Sequence, residues 1–163
     1  MKNIKIIFFS VFLVLLSSQS KSEIKVAFID MNILISQSSA GKSLIEELNK
    51  IDTKNKKKFK EIKDALNKEK NDINLKKNIL SNEEYEKNII KLNDKFKSFQ
   101  VDIKKSAQTL QTKRNSGMQK ILEEINLLLT EYSKKNQLTF IIDQKNIVIG
   151  KSDLNITDEI LKS

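Results

Sequence analysis

The sequence predicts an α+β chain dominated by a long antiparallel α-helical hairpin, a coiled-coil arm, on a small β base. Three observations carry this reading. Apolar residues recur at alternating steps of three and four from residue 81 to about residue 132, the seam of a helix packed on another. The 163 residues contain no proline and only three glycines, so little interrupts a helix. Short runs rich in Ile, Val and Phe lie on both sides of the helical stretch.

Residues 1–20 read as a secretory signal peptide. Lys2 and Lys5 form its positive start, Ile6 to Leu16 its apolar run, and Ser18-Gln-Ser20 its small-residue cleavage signal. Cleavage is expected after Ser20, with Ser22 as the alternative. The apolar run is too short to span a bilayer, which takes about 20 residues. An exported chain is expected. It has no cysteine, so no disulfide framework holds it together.

Residues 23–29 alternate as a strand does, with Ile24, Val26 and Phe28 on one face. Residues 30–39 mix apolar and loop-forming types, which predicts an irregular or short helical connection. Residues 36–43 end in Gly41-Lys42-Ser43, as a phosphate-binding loop does. Ser36 stands where that loop needs its first glycine, however, and no Mg²⁺-binding strand follows. Gly41 and Lys42 are read instead as opening a helix.

That helix is predicted from about Ala40 to Asn78. Its seam is thin: Leu44, Leu48, Ile51, Asn55, Lys58 or Phe59, Ile62, Leu66, Glu69 and Ile73. Burying Asn55 or Glu69 costs free energy unless each finds a partner or water. Asparagines and Ser81 mark a break near residue 79, and Ser81-Asn-Glu-Glu84 fits a capping box that starts the second helix. Its seam reads Tyr85, Ile89, Leu92, Phe96, Phe99, Ile103, Ala107 (or Ser106), Leu110, Arg114, Gly117, Ile121, Ile125, Leu128 and Tyr132.

Counting outward from the turn, the first helix can cover the second only to about residue 118. The apolar residues beyond it, Ile121, Leu122, Ile125, Leu127, Leu128 and Leu129, are expected to bury in the base. Asn136 ends the helix. Residues 138–143 and 147–150 then read as a strand pair joined by a turn at 144–146. Residues 155–161 read as a last helical turn or two, with Thr157 as its N-cap. One domain follows, 21–163, with a body of 21–42 and 119–163 and an arm of 43–118.

The formal charge is +9, or +7 once Lys2 and Lys5 leave with the signal peptide. Residues 50–80 hold 11 lysines against 5 carboxylates, so the arm is basic and the base near neutral. There is no His or Cys for nucleophilic or general-base chemistry, and the carboxylates alternate with lysines on helix faces. No enzyme, cofactor or metal site is expected. Specific nucleic-acid binding is disfavoured by the signal peptide and by Arg114 being the single arginine.

The order of these pieces resembles the Skp (OmpH-like) family of periplasmic outer-membrane-protein chaperones. The carrying stretches are Val26-Ala-Phe-Ile-Asp30 with Ser39-Ala-Gly-Lys42, and Leu138-Thr-Phe-Ile-Ile-Asp143 with Asp153-Leu-Asn-Ile-Thr-Asp-Glu-Ile-Leu161. The resemblance implies a homotrimer whose strands close into a β-barrel body, with three arms holding unfolded outer-membrane proteins between them without ATP. It implies a periplasmic location. The family's lipopolysaccharide-contacting cationic cluster has no residue-by-residue match here. An anionic lipid or lipopolysaccharide surface is kept as a candidate partner.

Small size argues for self-association independently, because three short strands and one helix end give a protomer little core to steady two long helices. An open strand edge at 24–29 would also invite pairing. Candidate oligomer contacts are Val26, Phe28, Ile29, Phe140, Ile141 and Ile142. Candidate substrate contacts are the lysines Lys54, Lys56, Lys57, Lys58 and Lys60 with the apolar Phe59, Ile90, Val101 and Met118. The competing reading is an exported structural coiled coil, a spacer or adaptor without chaperone activity.

Overall fold

The computed structural model describes residues 24–163, and the leader read at 1–20 lies outside them. In chain order come β1 (Val26–Ile29), α1 (Met31–Gln37), α2 (Ser39–Leu75), α3 (Asn82–Asn136), β2 (Phe140–Asp143), 3₁₀ turns at Gln144–Asn146 and Ser152–Leu154, and α4 (Thr157–Leu161).

The connection expected to be irregular is the helix α1. Asp30 caps it, its Oδ1 accepting from the N–H of Ile33 at 3.0 Å, and Leu34 is fully buried beneath it. Ser38 alone separates α1 from α2, and its hydroxyl accepts from the N–H of Gly41 at 3.1 Å. Helix therefore follows helix, with no loop to wrap a phosphate. Gly41 is required by packing: a Cβ built there would lie 1.6 Å from the carbonyl oxygen of Ile35.

The distal arm follows the heptad reading. Nearer the body, Ile103, Ala107 and Arg114 of the predicted seam are exposed, and Ser106 is the half-buried alternative. Ser81 accepts from the N–H of Glu84, whose carboxylate accepts from the N–H of Ser81, so both halves of the capping box are made. α2 has 37 residues and α3 has 55. At about 1.5 Å per residue α3 is about 80 Å long and runs from the arm tip into the body. Leu66, Ile73 and Leu92 form the buried centre of the distal arm, with Ile62, Tyr85, Ile89, Phe96 and Phe99 packed around them. α3 ends at Asn136 because Gln137 turns left-handed, at φ 57°.

The predicted strand pair at the C-terminal end does not form. Residues 140–143 pair in parallel with β1, Val26 opposite Phe140 and Ile29 opposite Asp143. The arm is the reason. Parallel strands need a long crossover, and the hairpin supplies one that returns the chain beside β1 in the same direction. A 3₁₀ turn then leads the chain off the sheet, with Asp143 Oδ1 accepting from the N–H of Lys145 at 3.2 Å. Val148 and Ile149, expected in a strand, are 97% and 92% exposed.

β1 is also not the open edge. Its Lys25 carbonyl accepts from Thr139 on the β2 side, while its Phe28 carbonyl accepts from the N–H of Ile156 at 3.0 Å. Residues of opposite parity face opposite edges, so β1 lies between β2 and residues 155–156. The open edge belongs to β2, which pairs only with β1 among the described residues.

Thr157 is not the N-cap of α4; Ile156 holds that position. The buried Thr157 hydroxyl accepts from the N–H of Asp30 at 2.8 Å and donates to Asn155 Oδ1 at 2.6 Å. The body core is Ala27, Ile29, Leu34, Ile121, Ile125, Ile156 and Ile160. Each buried Ile or Leu contributes about 1.5–3 kcal/mol, so the proximal end of α3 is what fastens the arm to the body. Leu127, expected to bury there, is 66% exposed.

Candidate functional site

Two surfaces offer themselves: the lysine-rich arm and the apolar side of the body. On the arm, Lys54, Lys56, Lys57, Lys58 and Lys60 are all exposed along one and a half turns of α2. Lys56 pairs with Asp52 at 2.7 Å. Lysines dominate this stretch because α2 needs only every third or fourth residue for its seam, which leaves the rest to solvent.

Phe59 belongs to the seam rather than to the free surface. It is half-buried, its ring 6.0 Å from that of Phe99 at an interplanar angle of 69°, an edge-to-face contact. The choice between Lys58 and Phe59 for the seam thus falls to Phe59, with the Lys58 ammonium 6.0 Å from its ring centre. Met118 is half-buried. Ile90 and Val101 are exposed, at 61% and 63%. Eleven residues apart on a helix, they share one face of α3.

Of the two polar seam residues, Glu69 is partnered: Lys95 donates to its Oε1 at 2.6 Å. Lys113 on α3 reaches Glu47 on α2 in the same way. Asn55 differs. It faces Ser106, the alternative that the heptad count left open beside Ala107, and grooves open on both sides of the pair.

On the body, the six candidate strand residues divide. Phe28 and Ile29 are buried, and Ile141 packs on the protomer's own core. Val26 is half-buried, while Phe140 and Ile142 remain 56% and 37% exposed. Near them β2 keeps its open edge. Sequence reasoning missed the exposure of Val148 and Ile149, and of Leu75 and Ile79 at the arm tip. The sequence reads Val148 and Ile149 as strand, while Leu75 and Ile79 lie on neither seam and beside the predicted break, where their apolar character is visible without a partner.

Among the described residues three ionisable groups are shifted, each by a hydrogen bond. Glu84 is held below the usual carboxylate range by the Ser81 hydroxyl first and the Ser81 N–H second. Asp143 is lowered by its hydrogen bond with Lys145. Tyr132 is raised by its hydrogen bond to Glu159. All three are structural ties. Among the described residues no cluster of three or more acidic, His or Cys side chains could hold a metal, and no helix is long and apolar enough to cross a membrane.

A family model described as Outer membrane protein (OmpH-like) matches residues 25–163. A solved structure from Caulobacter crescentus CB15, described as a "putative outer membrane chaperone (OmpH-like)", superposes with a TM-score of 0.81. The two chains are 15% identical, and the match covers 85% of this chain and 82% of that one. At that identity the likeness speaks for the fold. No curated protein matches the chain.

Proposed function

The chain belongs to the OmpH-like outer membrane protein family, and from that premise we propose that it is an ATP-independent periplasmic holdase. Family and structural neighbour together support a chaperone role in general. The finer reading is that unfolded outer-membrane β-barrel polypeptides are held between the arms of a homotrimer and so kept from aggregating.

The observation that carries this is the character of the arm. Five lysines between residues 54 and 60, with no acidic residue among them, stand exposed on a helix of low seam density. Such a surface attracts extended acidic chains over a Debye length, about 8–10 Å at physiological salt, and releases them readily. A spacer needs no such surface. Nor does it need a body with an open strand edge.

Self-association is proposed through the face that the protomer leaves uncovered. Phe140 and Ile142 expose apolar surface on β2, whose outer edge is free, and Val148 and Ile149 expose more a few residues along the chain. A partner strand there would satisfy the edge and cover the apolar side chains together. Ile141 is a poor probe, because it already packs on the protomer core. Val148→Asp adds a charge where the protomer loses nothing, so sedimentation of this variant at monomer mass would support the interface.

The holdase reading is tested by light scattering as a urea-unfolded outer-membrane barrel is diluted into residues 21–163. Suppressed aggregation that weakens with added salt is the expected result. Unchanged aggregation at excess protein would leave a structural coiled coil as the better account.

A further inference from the structure

The arm has two apolar clusters with a lapse between them. The body cluster reaches along the helices as far as Leu44 and Ile121, and the distal cluster begins at Ile62 and Phe99. In the interval Asn55 of α2 meets Ser106 of α3. Both are half-buried, and neither side chain makes a hydrogen bond to protein among the described residues. None of their polar atoms is sealed from solvent. Open space flanks the pair, about 330 Å³ on one side and about 200 Å³ on the other, with the Phe59 ring bordering both.

A seam built only for packing would place an apolar residue here, since a half-buried amide without a partner contributes little to holding two helices together. The Asn55 side chain is an amide with the same donor and acceptor groups as a peptide bond. It can therefore pair with the main chain of an extended polypeptide whatever the sequence of that polypeptide. Beside it, Phe59 and Ile51 offer apolar surface for one side chain. Lys58 and Lys105 stand at the rim of the larger opening together with Asp102, and Lys54, Lys57 and Lys60 lie on adjacent turns. Asp52, at the smaller opening, is neutralised by Lys56. The surroundings favour negative charge.

We propose that this notch is a docking subsite for an extended polypeptide segment with one apolar side chain flanked by carboxylates. The inference rests on the holdase reading and says where on the arm a client is gripped.

Asn55→Leu tests it without risking the fold, because the change restores apolar packing to the seam. The urea midpoint of the arm should rise while affinity for an unfolded acidic barrel polypeptide falls about fivefold, the ratio expected for one lost net hydrogen bond. The chain has no cysteine, so Ala107→Cys on the notch rim can carry a single benzophenone label. Gln100→Cys, on exposed α3 surface outside the notch, is the reference. Client cross-linking at position 107 well above that at position 100, competed by an acidic peptide containing one Phe, is the supporting result.

Client affinity unchanged in Asn55→Leu, or cross-linking no greater at 107 than at 100, would overturn the notch while leaving the holdase intact. Failure of the unsubstituted protein to bind the unfolded polypeptide would overturn the holdase reading itself, and the subsite with it.

Discussion

Leu44 fills the space that a side chain at Gly117 would need: a Cβ built there would lie 2.5 Å from Leu44 Cδ1. This contact lies near the root of the arm, where Leu44 also packs against the body core. Gly117→Leu should push the helices apart at the root of the arm, costing about 1–3 kcal/mol as an overpacked contact. Gly117→Ala should cost far less, because the contacts are with the flexible end of the Leu44 side chain, which can turn aside as a whole, and alanine favours helix. Urea unfolding followed by circular dichroism separates the two.

Gly41 allows no such adjustment. Its neighbour is the Ile35 carbonyl oxygen, a backbone atom. Gly41→Ala must move α1 off the start of α2 and should cost about 3 kcal/mol or more, at the upper end for single substitutions. A melting temperature within two or three degrees of the unsubstituted protein would contradict this account of the Ala-Gly-Lys stretch.

Thr157 and Asp30 tie the two ends of the chain together through one buried hydrogen bond of 2.8 Å. Thr157→Val keeps the shape and deletes the acceptor, leaving the Asp30 N–H without its partner. The expected loss is about 1–3 kcal/mol. Amide exchange at Asp30 should accelerate more than at Leu92, whose distal cluster does not touch Thr157.

The capping box carries a pH dependence of known sign. Glu84 has its carboxyl lowered in the folded state by Ser81. Its contribution is therefore complete above the unfolded glutamate pKa and is lost as pH falls through the lower folded value. Fraying at the start of α3 should set in only below the ordinary glutamate range. Carbon-13 titration of the Glu84 carboxyl should show a depressed midpoint that Ser81→Ala returns to normal. Glu84→Gln should keep the cap and remove the acid response.

The arm was legible in the sequence because everything that defines it is local. The seam from Tyr85 to Tyr132 repeats within four residues, and the Ser81–Glu84 box spans three. Asn55 and Glu69 stood out as polar seam residues, but whether each had a partner was not legible. Glu69 finds Lys95 across the hairpin and Asn55 finds only Ser106 and open space. Of the candidate surface residues, Phe59 was ambiguous for a similar reason: one residue of register, about 100° around the helix, separates a seam position from an exposed one.

What the sequence by itself determined is two helices of about the right length, their turn, their shared seam and the basic charge they carry. The tertiary structure decided the body. The direction of β2, the placing of β1 between two partners, and the release of Val148 and Ile149 to solvent all depend on where the arm returns the chain. A strand's residues state that it will pair, but its partner and direction are set by hydrogen bonds between distant segments. Asp30 and Thr157 meet across 127 positions, and no periodicity within either segment could have announced the contact.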